Sequence, residues 1–134
     1  MGGIKKTSAD NWFSLYIRCR DNWTCQRCGR VYHYNLGGNN TELQGLHCAH
    51  CFGRGGKSTR FEPDNCLALC YGCHSHIDSN PEEKRDLFIK RLGDERYEEL
   101  RLQANTPLLN AKRVQKDIAK KFKAIFEEML SQQA

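Results

Sequence analysis

Between residues 8 and 21, SADNWFSLYIRCRD, the apolar positions Trp12, Leu15, Tyr16 and Cys19 recur at helical spacing. A helix is predicted there, with Ser8 or Asp10 available as N-cap. Cys19 falls on its core-facing side. Further on, residues 31–34 and 42–50 flank a Gly-Gly-Asn-Asn turn and are predicted to pair as a hairpin. GRGGKSTRFEPDN, residues 53–65, reads as a basic loop. An apolar lead-in over 65–69 runs to a short helix carrying Cys73 to Asp78. Pro81 suits the first turn of the next helix and Gly93 its end. Asp94 can cap ERYEELRLQ. Residues 108–131 form a long amphipathic helix on which Val114, Ile118, Phe122, Ile125 and Met129 make one stripe. Its other face carries Lys112, Arg113, Lys116, Lys120, Lys121 and Lys123. That face is solvated if the stripe packs on the domain; a DNA-facing helix or a dimer seam are the alternatives. The pattern predicts an α+β fold in a single domain, residues 1–134. Its parts are an N-terminal helix (8–21), a core (25–78) and C-terminal helices (81–134).

Composition narrows the class. No apolar run opens the chain, and none approaches the roughly 18 residues of a membrane span, so neither a signal peptide nor a membrane partner is expected. A cytoplasmic, reducing setting then makes disulfides a poor account of eight cysteines. The net charge of +5 suits a nucleic-acid partner.

Six cysteines form Cys-x-x-Cys pairs: Cys25/Cys28, Cys48/Cys51 and Cys70/Cys73. Two such pairs can aim four thiolates at one tetrahedral Zn²⁺, at about 2.3 Å each. Gly29 follows the first pair and Gly72 lies within the third, each able to serve a tight knuckle, whereas only Ala49 and His50 separate Cys48 from Cys51. Zinc is therefore assigned to Cys25, Cys28, Cys70 and Cys73, with the middle pair as rival ligands. The 41 residues between the knuckles require a whole hairpin to be inserted. No role is assigned to Cys48, Cys51 or Cys66.

GRGGKST invites comparison with a phosphate loop. The first glycine of that motif would fall at Cys51, and no βαβ pattern surrounds it, so no nucleotide cofactor is expected.

The polar order His50, Asn65, His74, framed by two zinc knuckles, carries a resemblance. CQRC, LHCAHCFGRGG and FEPDNCLALCYGCH resemble the HNH endonuclease family, the ββα-metal or His-Me finger nucleases. FSLYIRCRD and DLFIKRLG extend the likeness to NinG-type phage recombination nucleases, over roughly residues 12–103. The resemblance implies a zinc-braced, treble-clef-like ββα-metal core in a bacterial or phage-derived enzyme that hydrolyses DNA phosphodiesters. It makes His50 the general base, Asn65 the residue that orients it through the loop, and His74 a ligand of a catalytic Mg²⁺ or Mn²⁺. Ala49 stands where many members place a second metal ligand; His47 and Asp78 are the replacements, in that order. His76 reads as a solvated side chain. Arg54, Lys57 and Arg60 are expected on the DNA backbone beside the scissile phosphate. One such site nicks one strand, in a monomer or a homodimer. The alternatives are a catalytically silent zinc-containing DNA-binding module and a zinc-stapled interaction protein.

Overall fold

The computed structural model describes residues 6–53, 58–107 and 111–133. It begins with α1 (Ser8–Arg20), whose capping box starts at Thr7, one residue before Ser8 and three before Asp10, the two expected caps. Thr7 is the N-cap, and Asp10, at the third helical position, accepts from the Thr7 backbone N–H at 2.8 Å. Asn22 and Trp23 then take left-handed backbone, φ 58° and 54°, and turn the chain into the first cysteine pair.

Strands β1 (Leu46–His50) and β2 (Cys66–Cys70) follow, then helices α2 (Tyr71–Asp78), α3 (Pro81–Leu92), α4 (Asp94–Gln103) and α5 (Ala111–Gln133). Among the described residues the fold is thus α+β, five α-helices around one two-stranded sheet. No helix there is long and apolar enough to cross a membrane.

The hairpin is not the expected one. β1 pairs antiparallel with β2, Leu46 opposite Cys70 through His50 opposite Cys66. Residues 31–34 contribute only an isolated bridge, Thr24 to Val31. Their aromatic side chains serve packing instead. Tyr34 stacks on Trp23 at 5.1 Å, and the Tyr32 hydroxyl donates to the Gly45 carbonyl at 3.3 Å. β2, buried along its whole length, requires a partner for its backbone groups, and β1 supplies it. Residues 42–45 form a short 3₁₀ turn into β1.

The α5 stripe packs on α1 of the same chain. Phe122 lies 4.9 Å from the Phe13 ring and 5.1 Å from Tyr16. Phe126 sits 6.2 Å from Trp12 and 5.6 Å from Tyr34. Lys116, Lys120, Lys121 and Lys123 are left exposed, the solvated face. Cys19 is buried in the core, as its helical position predicts. α3 ends at Gly93, whose φ of 86° only glycine adopts without strain. Gly93, not Asp94, precedes α4, and no side-chain cap bond forms there.

Candidate metal centres and the cavity between them

Cys25, Cys28, Cys70 and Cys73 converge, with all four sulfurs within 4.8 Å of one another. Cys28 Sγ and Cys70 Sγ are 3.8 Å apart. Four thiolates at about 2.3 Å around a tetrahedral ion are separated by roughly the same distance. Backbone N–H groups of Cys28 and Cys73 each donate to the first sulfur of their own pair, at 3.4 Å. Burial pushes the Cys25 thiol up, but N–H groups around it outweigh this and bring it to about 7. Burial pushes Cys73 up to about 12, with neighbouring thiols adding to the rise. Four thiolates cannot share this space without a cation, and the set can hold a structural metal such as zinc.

The cluster ties the β2–α2 junction to the turn after α1. His74 therefore stands one residue beyond a cysteine ligand, on the first turns of α2, and faces β1. His74 Nδ1 lies 3.0 Å from His47 Nδ1, the rings nearly perpendicular. Two nitrogens bound to one octahedral ion at about 2.1 Å and 90° stand roughly 3.0 Å apart. Burial lowers both histidines; at His47 the charges of His74, Lys6 and Arg18 add to it, while at His74 Asp78 opposes it. Neutral imidazole is the form a metal needs.

Asp78 reaches the far side of the same ring, its Oδ2 3.3 Å from His74 Nε2. Lys84 Nζ holds the other carboxylate oxygen at 3.0 Å. A carboxylate facing Nε2 favours the proton there and leaves the lone pair on Nδ1, toward His47. Of the two residues expected to replace a ligand at Ala49, His47 sets its Nδ1 against that of His74, and Asp78 faces the other ring nitrogen of His74. Ala49 itself is fully buried. His76 points elsewhere, 2.5 Å from Glu83 on α3.

His50 lies at the end of β1. Its Nε2 is 3.1 Å from the Arg60 carbonyl, which can only accept, so the neutral ring carries its proton on Nε2 and its lone pair on Nδ1. Asn65 is fully buried and closes the loop that supplies this carbonyl. Its Nδ2 donates to Phe52 and Thr59 carbonyls at 2.9 and 3.0 Å, and its Oδ1 accepts from Phe52 N–H at 2.9 Å. Asn65 thus ties together residues 52 and 59 of the loop that carries the Arg60 carbonyl. Its own carbonyl accepts from Cys51 at 2.7 Å.

A cavity of about 650 Å³ is lined by His47, His50, His74 and Asp78 together with Cys48 and Lys84. The base and the metal-ligand candidates of the sequence thus open into one space, although β1 alternation sends His47 and His50 to opposite faces of the strand.

Arg60 does not face a strand of DNA. It is 5% exposed and forked onto Asp10, with Nε–Oδ1 at 3.1 Å and Nη2–Oδ2 at 2.6 Å. The buried Asp10 carboxylate left over from the capping box draws it inward, and the guanidinium lies over the Phe61 ring. Arg54 and Lys57 lie outside the described residues.

A third grouping escaped the sequence reading. Cys48, His50 and Cys66 place a donor atom each within 4.8 Å of one another. Only the strand register brings Cys66 opposite His50, and that pairing was not the predicted one.

Scans against protein-family models, curated proteins and solved structures returned no match.

Proposed function

We propose that the chain is a metal-dependent DNA endonuclease of the HNH, ββα-metal type, nicking one strand per active site. The observation that carries the reading is the His47–His74 pair. It joins a strand and a helix at a chelating separation, 3.0 Å, and opens into the cavity that His50 also lines. His47, His50 and His74, which the resemblance names, line that cavity together.

In this reading His47 and His74 would hold Mg²⁺ or Mn²⁺, which would supply Lewis-acid polarisation of a phosphate oxygen and charge to offset the leaving alkoxide. The protein does the rest. Asp78 keeps the His74 proton on Nε2. His50, held at Nε2 by the Arg60 carbonyl, takes a proton from water at Nδ1. Asn65 is a positioning residue, because it fixes the loop that presents that carbonyl. Zinc on the four cysteines holds β2 and α2 at a set distance from the α1 turn. DNA is the substrate, and the net charge of +5 favours its approach.

The test is nicking of supercoiled plasmid across a metal series. Wild type should nick with Mn²⁺ or Mg²⁺. His50→Ala should lose about 10²-fold or more, and His74→Ala should lose metal dependence, both with unchanged circular dichroism. Intact plasmid at high protein and metal, with DNA still bound, would leave the silent DNA-binding module instead. A linear product formed in one step by a proven monomer would refute single-strand nicking.

A further inference from the structure

We propose that Cys48, His50 and Cys66 form a second metal site, taking a thiophilic divalent cation such as Zn²⁺, and that filling it withdraws His50 from proton transfer. The inhibitory half rests on the endonuclease reading; the binding half does not.

Cys48 and His50 are two residues apart on β1 and so share a face. Cys66 is the β2 residue directly opposite His50. Their donor atoms all lie within 4.8 Å of one another, and none belongs to the four-cysteine cluster. The two thiolate sulfurs, which the His47–His74 pair lacks, select soft or borderline cations over Mg²⁺ and Mn²⁺. Three protein ligands with a fourth position open to solvent is an arrangement that zinc accepts.

Charge and access fit as well. Cys66 is 1% exposed, so a charged site here would be costly. On binding, the Cys48 and Cys66 thiols release their protons to solvent, and two thiolates cancel the dication. Cys48 and His50 line the cavity, which gives an entry path, with Cys66 behind them. The Arg60 carbonyl on His50 Nε2 is the kind of outer partner that metal-bound histidines usually have.

The consequence follows from the lone pair. His50 cannot both donate it to zinc and accept a proton from water. The two metals would then act oppositely: Mg²⁺ or Mn²⁺ at His47 and His74 supports cleavage, and excess Zn²⁺ on the other face of β1 stops it.

The experiment uses the full chain. Zinc content after loading and desalting should be two equivalents in wild type and one in Cys48→Ser, at matched circular dichroism. His50→Gln, read by metal content alone, should also bind one. Reconstitution with Co²⁺ should give a second thiolate-to-cobalt absorption step in wild type that Cys48→Ser lacks. In the plasmid assay with Mn²⁺, raising zinc from one to two equivalents should cut wild-type nicking about 10²-fold and leave Cys48→Ser unaffected. One equivalent in every protein, or a second equivalent kept by Cys48→Ser, overturns the site. Two equivalents with undiminished nicking overturn the inhibition. A second equivalent taken up on loading, with no nicking by the one-equivalent protein under any metal, upholds the site and sinks the endonuclease reading.

Discussion

The Asp10–Arg60 pair shows how a single side chain can reverse a functional expectation. Both groups are almost fully buried, at 7% and 5% exposure. Removing one partner of a buried pair strands the other charge, at a cost of about 3–5 kcal/mol. Arg60→Met should therefore lower thermal stability sharply, and the fraction that stays folded should bind DNA as wild type does. Weaker DNA binding at unchanged stability would restore Arg60 to the DNA surface. Burial raises the Asp10 carboxyl, but its bonds to Arg60 and Thr7 outweigh this and hold it below the ordinary 3.8. The folded value is thus the lower one. The pair stabilises fully above the ordinary value, and its contribution drains away as pH falls through the folded one. The stability gap between wild type and Arg60→Met should narrow in that acid window. Thr59 carries the opposite lesson, since its Oγ1 is buried with no hydrogen-bond partner among the described residues. Thr59→Val removes that orphan and should raise stability by about 1 kcal/mol, a rise of roughly 3 °C in melting temperature. A lower melting temperature would mean that the hydroxyl is satisfied. The residue types around Asp10 were visible in the sequence, but which charge turns inward depends on contacts 50 positions apart.

At the level of elements, the sequence was most legible where periodicity was long. α1 and α5 follow their apolar spacing, and α3 its Pro81 and Gly93 signals, to within a few residues. The short strands were not legible. CLALC is apolar throughout, so it has no alternation to read, and it lies next to a cysteine pair. Residues 31–34 have strand-like composition, yet Tyr34 packs against Trp23 and Phe126 and the segment forms only the Val31 bridge. The missed pairing hid Cys66 from His50, and with it the third donor cluster. The four-cysteine cluster needed only pair counting and was legible without the pairing. The stripe of α5 supplies the element-scale prediction. Phe122 is 2% exposed, against Phe13 and Tyr16 of α1. Phe122→Ala should cost about 3–5 kcal/mol in denaturant unfolding and loosen α1, which carries Asp10. If the stripe were instead a seam between copies, the same change would shift the sedimentation of the native protein. The packing of Phe122 within its own chain predicts no such shift.

For the whole molecule, the question is what keeps His47 and His74 together, because they belong to different elements and touch only through their rings. His74 is adjacent to Cys73, and Cys70 and Cys73 converge on Cys25 and Cys28 across 41 intervening residues. The part of the α1–α5 packing built on Phe13 and Phe122 contains none of these four cysteines, whereas Phe126 shares a cluster with Cys25, Cys70 and Cys73. Metal removal should therefore separate two parts of the fold. Structural zinc typically contributes on the order of 10 kcal/mol to small folds of this kind. Stripping it with a tight chelator should melt the junction of β2, α2 and the first knuckle while much of the α1–α5 helicity persists. Far-UV circular dichroism should fall only in part. Near-UV signal from Trp23, which packs in the same cluster as Cys25 and Cys73, should collapse, and the melting temperature should drop by more than 10 °C. Adding Mg²⁺ or Mn²⁺ alone should not restore nicking, because the two histidines no longer face each other; one equivalent of Zn²⁺ with either metal should. An unchanged melting temperature and near-UV spectrum in protein proven free of zinc would show that packing alone sets the distance between strand and helix.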